Sequence, residues 1–177
     1  MEPQGRPQGM SDIEWLVALE EIRQLKARRD RYVDAHDWAA LEALHAPDHV
    51  SHHASGAAPG GASGAWTSAA EMMKNIRAIM ENMISTHHSY DPEIIVESPT
   101  KARAVWAMTG GSVGKGADGK STWNIIYGYY YETYEKRDGR WVFTTRRWQR
   151  YLGVGTEGVT FPQEPLPGSN AFETFNS

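Results

Sequence analysis

The chain has 177 residues, a net charge of −4 and no cysteine. This length suits one domain with a buried core, and the missing cysteine excludes disulfides, thiol nucleophiles and thiolate metal sites. The acidic balance gives no electrostatic footprint for nucleic acid or for an anionic membrane. The sequence contains no apolar run of membrane-spanning length and no signal peptide at its start. We therefore expect a cytoplasmic protein without nucleic-acid or membrane partners.

The first third of the chain predicts helices. Residues 1–11 are polar and rich in Gly and Pro, and we expect a disordered lead. Ser11 followed by Glu14 is typical of a helix start. The helix should bury apolar residues at helical spacing, namely Leu16, Leu19, Ile22, Leu25, Tyr32 and Val33. Asp37 is expected to cap a short second helix, residues 38–44, which Pro47 ends.

A strand, a loop and a third helix follow. Residues 49–53 predict a short strand, and residues 54–64 read as a flexible loop rich in Gly, Ala and Ser. Trp66, which we expect in the mobile loop after this strand, could cover the mouth of a pocket. Helical spacing returns over residues 68–83.

The second half of the chain is rich in β-branched and aromatic residues. It predicts strands over 92–96, 102–109, 123–134 and 141–152. A glycine-rich connection is expected at 110–119, and Asp138-Gly139 predicts a tight hairpin because this pair tolerates positive φ. From Gly153 onward the chain is rich in Gly and Pro, which is typical of a tail that packs over its own domain or a neighbouring subunit.

This order of elements, helices first and then an antiparallel meander, predicts an α+β fold. We expect a cone-shaped barrel in which a curved antiparallel sheet wraps around the N-terminal helices and encloses one deep pocket. The domain should span 12–152, between the lead 1–11 and the tail 153–177. The 7 Trp and 8 Tyr residues indicate either an aromatic-lined cavity or a Trp-rich core.

Three short motifs, in this order, resemble a known family. They are Asp-x-x-Asp-Trp at 34–38, Thr-His-His at 86–88 and Arg-Asp-Gly-Arg-Trp-x-Phe at 137–143. Over roughly residues 12–152 the chain resembles the SnoaL-like branch of the nuclear-transport-factor-2-like superfamily. Members of this branch include scytalone dehydratase, bile-acid 7α-dehydratase, hexachlorocyclohexane dehydrochlorinase and a diarylpropane lyase that releases formaldehyde. The fold also hosts binding modules, so it does not define a function alone.

The resemblance implies a catalytic set. It carries an aspartate late in the first helix onto Asp34, a histidine at the start of a strand onto His87, and an arginine of the last strand onto Arg146. Imidazole titrates near neutral pH and can move a proton, while a carboxylate can fix its tautomer. Asp37 is the likelier helix cap of the two nearby aspartates.

Further residues are candidates for binding a substrate. His88 and Arg147 adjoin His87 and Arg146 and are alternatives for the same positions. Tyr32 and Trp66 are also included, although Tyr32 should point away from Asp34 on a helix. The tyrosines of one strand divide between two faces, Tyr127, Tyr129 and Tyr131 on one and Tyr130 and Tyr134 on the other. We expect the first set to face the pocket, with packing against helices or another subunit as the alternative.

A second histidine cluster, His49, His52 and His53, raises the question of a metal site. No carboxylate lies at ligand-like spacing, and a strand cannot point His52 and His53 the same way. The segment Gly114-Lys115-Gly116 stands between strand signals and lacks the context of a phosphate loop. We therefore expect neither a metal nor a cofactor.

These inferences together predict a cofactor-independent lyase that acts on a hydrophobic, aromatic, hydroxylated small molecule, for example a lignin-derived phenolic. The reaction would be dehydration or loss of a small aldehyde such as formaldehyde. The alternatives are an isomerase of the ketosteroid-isomerase kind, and a non-catalytic ligand-binding or accessory subunit. A homo-oligomer, dimer or trimer, is expected from the resemblance.

Overall fold

The structure is a computed structural model that describes residues 5–53, 64–116 and 118–160. Its helices are α1 (Asp12–Asp34), α2 (Trp38–Glu42) and α3 (Ala69–Met80). Its strands are β1 (His45–His53), β2 (Gly64–Trp66), β3 (Ile84–Ser98), β4 (Lys101–Lys115), β5 (Ser121–Arg137), β6 (Arg140–Gly155) and β7 (Gly158–Thr160). The predicted loop 54–64 falls almost wholly outside the described residues.

The sheet confirms the predicted α+β architecture. Its strand order is β2-β1-β6-β5-β4-β3, with β7 paired to β6, so the two ends of the sheet do not meet. Strands β3 to β6 form an antiparallel meander. One pairing departs from the predicted antiparallel pattern, because β1 runs parallel to β6. The sheet curves around α1 and brings β1, β5 and β6 over the same interior.

The start of α1 follows the predicted capping chemistry. The Ser11 hydroxyl accepts a hydrogen bond from the Glu14 backbone N–H, and the Glu14 carboxylate accepts one from the Ser11 backbone N–H. Just before this cap, Met10 is 7% exposed and belongs to the main core. The end of the expected disordered lead therefore packs against the domain.

The buried face of α1 differs from the predicted one. Ile22, Leu25 and Val33 are buried as expected, whereas Leu16 is 58% exposed and Tyr32 is half-buried. The face also carries three charged residues, Lys26, Arg29 and Asp30. They recur at the same three- and four-residue spacing as their apolar neighbours, so they turn inward with them.

The strands are longer than the sequence pattern predicts. β3 begins at Ile84 and includes the His87-His88 pair, and β4 continues through the glycines at 110, 111 and 114 to Lys115. The expected connection over 110–119 is thus wrong for its first half, because pairing with the neighbouring strands holds these glycines in β4. The hairpin at Asp138-Gly139 is confirmed, with φ values of 50° and 76°.

Two apolar clusters hold the helices in place. The larger lies between α1 and the sheet, and the smaller joins the end of α1 to α2, α3 and β2. The smaller cluster contains Val33, Leu41, Trp66 and the methionines of α3. None of the helices in residues 5–53, 64–116 and 118–160 is both long and apolar enough to cross a membrane.

Candidate active site

The centre of the site is a contact between α1 and β3. The His87 Nδ1–H donates to Asp34 Oδ1 at 2.6 Å, and the His87 backbone N–H donates to Asp34 Oδ2 at 2.8 Å. The Ser85 hydroxyl adds a third donor to Oδ1 at 2.8 Å. Because an ionised carboxylate can only accept, Nδ1 carries the hydrogen and Nε2 remains available as a base.

Strand alternation decides between the adjacent histidines. His87 pairs in register with Gly110 and lines the interior cavity, whereas His88 is exposed on the outer face and contacts Thr86 Oγ1 through Nε2 at 2.9 Å. Of the two adjacent histidines, His87 is the one in the cavity wall. Asp34 is not on the cavity wall and reaches a shallow surface groove behind His87.

The charge of Asp34 is held by these donors. Partial burial favours the neutral carboxyl, but the hydrogen bonds from His87 and Ser85 outweigh it and hold the pKa of Asp34 below its usual value. Asp34 ends α1, where the helix dipole disfavours a negative charge. The three donors thus compensate for both burial and the dipole.

This depressed pKa predicts an acid-dependent contribution to stability. A carboxyl whose folded-state pKa is lowered stabilises the fold above its unfolded pKa, and that contribution is lost as pH falls through the folded value. We expect Asp34→Asn to lower the free energy of unfolding at neutral pH. The difference in the free energy of unfolding between this variant and the wild type should become smaller below about pH 4. The measurement is a series of urea titrations run at several pH values.

A matched control for this measurement is Asp37→Asn. Asp37 Oδ1 accepts from the Ala40 backbone N–H at 3.2 Å as the predicted cap of α2. Asn caps a helix about as well as Asp, so this variant should follow the wild type at every pH. A gap between Asp34→Asn and the wild type that stays constant down to low pH would contradict the role of the Asp34 charge.

The cavity beside His87 has a volume of about 160 Å³. Its apolar and aromatic walls are Val33, Trp66, Ile76, Ile79, Met80, Ile126, Tyr130 and Trp148. Its polar walls are Arg29, Ser51, His52, His87 and Arg146. A wider opening of about 560 Å³ near the β4–β5 turn shares Ile79 and Ile126 with it. The cavity wall is therefore mostly apolar, with two arginines and two histidines at fixed places.

Arg146 is held in the cavity wall by a buried carboxylate. Glu132 is paired with Arg146 in the β5–β6 register and is fully buried. Its Oε1 lies 3.4 Å from Arg146 Nε and accepts a hydrogen bond from Lys26 Nζ at 2.7 Å, while Oε2 accepts one from the Tyr134 hydroxyl at 2.6 Å. The Arg146 guanidinium also lies 3.9 Å from the centre of the Tyr130 ring.

The sequence reasoning missed Arg29, Lys26 and Glu132. Each is at most 2% exposed, and Arg29 lines the cavity. Burial lowers the pKa of Lys26 to about 8, against the attraction of Glu132. The available signal was the spacing of Lys26 and Arg29, which falls on the apolar stripe of α1. Charged residues at such positions are usually exposed, so their spacing alone does not predict that they are buried.

The tyrosine prediction is corrected by the register of β5. Ile126 and Tyr130 line the cavity, so Tyr127, Tyr129 and Tyr131 lie on the opposite face of the strand. None of these three lines the cavity. Both faces of β5 carry tyrosines, so the sequence pattern alone does not show which of them line the cavity. The packing of α1 against one face of the sheet determines which face turns inward. Tyr130 is the tyrosine that lines the cavity.

Of the other residues predicted to bind a substrate, some line the cavity and some do not. Trp66 is 9% exposed and forms part of the cavity wall, in a strand instead of the expected loop. Arg147 is opposite Tyr131 on the outer face, and Tyr32 packs beside the smaller cluster. Neither lines the cavity. The predicted alternatives Arg147 and His88 therefore lie outside it.

Two further histidines are buried behind the cavity. His45 and His49 are 5% and 0% exposed, with ring centres 4.7 Å apart. Burial lowers the pKa of His49 to about 3 and that of His45 far below its usual range, so both are neutral. Within the described ranges, no group of three or more His, Asp or Glu residues could hold a metal ion.

Several solved structures share this fold. A protein provisionally assigned as a scytalone dehydratase, from Novosphingobium aromaticivorans DSM 12444, superposes with a TM-score of 0.72 at 19% identity, covering 90% of this chain and 99% of its own. A hexachlorocyclohexane dehydrochlorinase from Novosphingobium barchaimii LL02 gives a TM-score of 0.66 at 18% identity, covering 88% and 100%.

A third structure, a protein of cystatin-like fold from Caulobacter vibrioides, gives a TM-score of 0.60 at 12% identity, covering 75% of this chain and 88% of its own. At such identities these similarities establish the fold. The profile of the SnoaL-like domain matches residues 15–147, which include α1, Asp34, His87 and Arg146. The chain therefore belongs to the SnoaL-like domain family.

Proposed function

We propose that the protein is a cofactor-independent lyase that eliminates a small group from a hydrophobic, aromatic, hydroxylated molecule. The observation that carries this proposal is the 2.6 Å contact of His87 Nδ1 with Asp34 Oδ1, with His87 on the wall of a cavity that also holds Arg146. A base backed by a carboxylate and an opposed cation are what a proton-abstraction step needs.

The chemistry follows from the positions of these groups. His87 Nε2 takes a proton from a carbon, the C–H electrons form a double bond, and the C–O bond to the neighbouring hydroxyl breaks. The imidazolium then returns its proton to the departing oxygen, so that water leaves and the imidazole is restored. Asp34 stabilises the imidazolium, while Arg146 and Tyr130 stabilise negative charge that develops on the substrate.

Loss of formaldehyde would use the same base. His87 would take the hydroxyl proton of a hydroxymethyl group, the O–H electrons would form the C=O bond of formaldehyde, and the C–C bond would break. The electrons of that C–C bond would form a double bond to the next carbon and displace a hydroxyl group there, which would take the proton from the imidazolium and leave as water. The aromatic wall supports an aromatic substrate, because Trp66 and Trp148 offer ring faces for stacking. The scytalone dehydratase and dehydrochlorinase similarities support an elimination.

The isomerase alternative has weaker support. It needs a carboxylate on the sheet that is free to carry a proton. Glu132 lies on the inner face of β5, but its two oxygens are bound to Lys26 and to the Tyr134 hydroxyl. A group held in this way serves as a counter-ion. The binding-module alternative leaves the 2.6 Å contact of Asp34 with His87 without a chemical role.

The test is a panel of aromatic compounds with a hydroxyl or hydroxymethyl group next to an acidic C–H. The wild-type protein, dialysed against EDTA, is incubated with each compound and followed by proton NMR. We expect loss of water, with a primary deuterium isotope effect when the abstracted carbon-bound hydrogen is replaced, or loss of formaldehyde. Migration of a double bond without loss of a group would favour the isomerase. Binding without turnover would favour the binding module.

A further inference from the structure

Arg29 has more hydrogen-bonding capacity than its surroundings satisfy. Its side chain is 2% exposed and forms part of the cavity wall. Neither Nε nor Nη1 has a hydrogen-bond partner among the residues that the structure describes. The carboxylate of Asp30 lies 3.6 Å from Nη1, which is an ion pair but too long for a hydrogen bond.

Arg146 adds a second incompletely paired cation to the same cavity. Its Nε is 3.4 Å from Glu132 Oε1 but makes no hydrogen bond. Lys26 and Tyr134 already donate to the oxygens of Glu132 at 2.7 Å and 2.6 Å. The carboxylate of Glu132 is thus shared among three groups, and Arg146 keeps donors that can turn to a ligand.

The buried charges do not balance. Lys26, Arg29 and Arg146 are cations, and the carboxylates among them are Asp30 and Glu132, so the cluster has one excess positive charge. His45 and His49 are neutral and do not change this count. A buried guanidinium without full pairing destabilises a fold, so an anionic ligand is the partner that this arrangement lacks.

Contacts with aromatic rings do not replace such a partner for Arg29. The Arg29 guanidinium is 5.8 Å from the centre of the Tyr130 ring, at the outer limit of a cation–π contact. Lys26 Nζ and Arg146 lie closer to the same ring, at 3.8 Å and 3.9 Å. The ring of Tyr130 is therefore already used by two other cations.

The part of the cavity beside Arg29 and His87 has room for one aromatic ring. A dry cavity of about 150 Å³ accommodates one benzene ring, and this one is about 160 Å³. We propose that the substrate carries a carboxylate on a single-ring aromatic body, and that Arg29, together with Arg146, binds this carboxylate. The planar guanidinium suits two-point recognition of a carboxylate. This inference rests on the proposed function in one respect, that the cavity is the substrate site.

The experiment compares benzoate with benzamide, which has the same shape and no charge. Binding to the full chain is measured by isothermal titration and by thermal shift at pH 7 and constant ionic strength. We expect benzoate to bind and to raise the melting temperature, and benzamide to bind at least about tenfold more weakly. Equal binding of the two compounds, or no binding of benzoate, would overturn the inference.

The variants separate a ligand-binding role from a structural one. Arg29→Met should bind benzoate at least about tenfold more weakly, and its melting temperature without ligand should equal or exceed that of the wild type, because the excess positive charge of the buried cluster is removed. Arg29→Lys keeps the charge but not the two-point geometry and should bind with intermediate affinity. Arg23→Gln, an exposed position on the same helix, is the control and should match the wild type.

Benzoate binding by Arg29→Met with wild-type affinity would show that Arg29 is not the anion site. A structural role for Arg29 would follow from two results together. The melting temperature of Arg29→Met would fall strongly, and Arg29→Lys would keep the wild-type ratio of benzoate affinity to benzamide affinity. These outcomes are independent of the lyase proposal, since benzoate has no group to eliminate. If the protein binds benzoate but eliminates no group from any compound of the panel, the anion site is supported and the lyase proposal is contradicted. If the protein eliminates a group only from uncharged substrates, the lyase proposal is supported and the anion site is contradicted.

Discussion

Turnover should fall by about 10²–10⁴-fold when His87 is replaced by Gln, because the base that accepts the substrate proton is removed. Gln retains the size of the side chain and can still meet the Asp34 carboxylate. The measurement is the rate at saturating substrate, with a compound that the wild-type protein converts. A fall in this rate separates lost chemistry from lost binding.

The adjacent His88 provides a matched control for this experiment. His88 lies on the same strand but faces outward and contacts Thr86. We expect His88→Gln to leave the rate unchanged. If the two variants lose activity equally, or if only His88→Gln loses it, the assignment of His87 as the base is wrong.

Asp34→Asn should lower the rate almost as much as His87→Gln. With an amide beside Nδ1, the ring can take the tautomer in which Nε2 carries the hydrogen, and this tautomer cannot accept a proton. The double variant should be no slower than the poorer single variant, because the two residues act as one unit. Additive losses would show that they act separately.

The second large effect is expected on stability. Replacing Glu132 by Gln should lower the free energy of unfolding by about 3–5 kcal/mol, because Lys26 and Arg146 would lose their buried counter-charge. Glu132 is 0% exposed and Lys26 is 1% exposed, so water cannot compensate. The measurement is urea unfolding at neutral pH, in which the transition should shift to lower urea without a change in slope.

Glu135→Gln is the control on the same strand. Glu135 is 34% exposed and pairs with Lys101 at 3.7 Å and Arg137 at 2.9 Å. Such ion pairs contribute less than about 1 kcal/mol each, so the change should be small. The double variant Lys26→Met, Glu132→Leu should be more stable than Glu132→Gln alone, since it removes both charges. Equal losses in Glu132→Gln and Glu135→Gln would contradict this account.

Local patterns predicted most of the fold. The cap at Ser11 and Glu14, the hairpin at Asp138-Gly139 and the apolar spacing of α3 are features of short segments, and the structure reproduces each of them. Strand ends were less well predicted. Glycines within β4 resemble loop residues until the partner strands are known, because pairing across the sheet overrides local preference.

The candidate site was predictable in part. Asp34, His87 and Arg146 came from resemblance to a family, and the structure brings His87 and Arg146 to one cavity with Asp34 behind His87. Trp66 was also selected, although as part of a loop. Arg29 was not, because an arginine on a helix is normally exposed and composition gives no sign of its burial.

The sequence by itself determined the order of the main elements, the helix caps, the tight hairpin and the absence of thiol chemistry. These depend on residues that are neighbours along the chain. Only the tertiary structure decided which face of β5 lines the cavity and which charges are buried. Side chains alternate on a strand, so both faces of β5 offered tyrosines. The packing of α1 against the sheet selected Tyr130 and enclosed Lys26, Arg29 and Glu132 beside it.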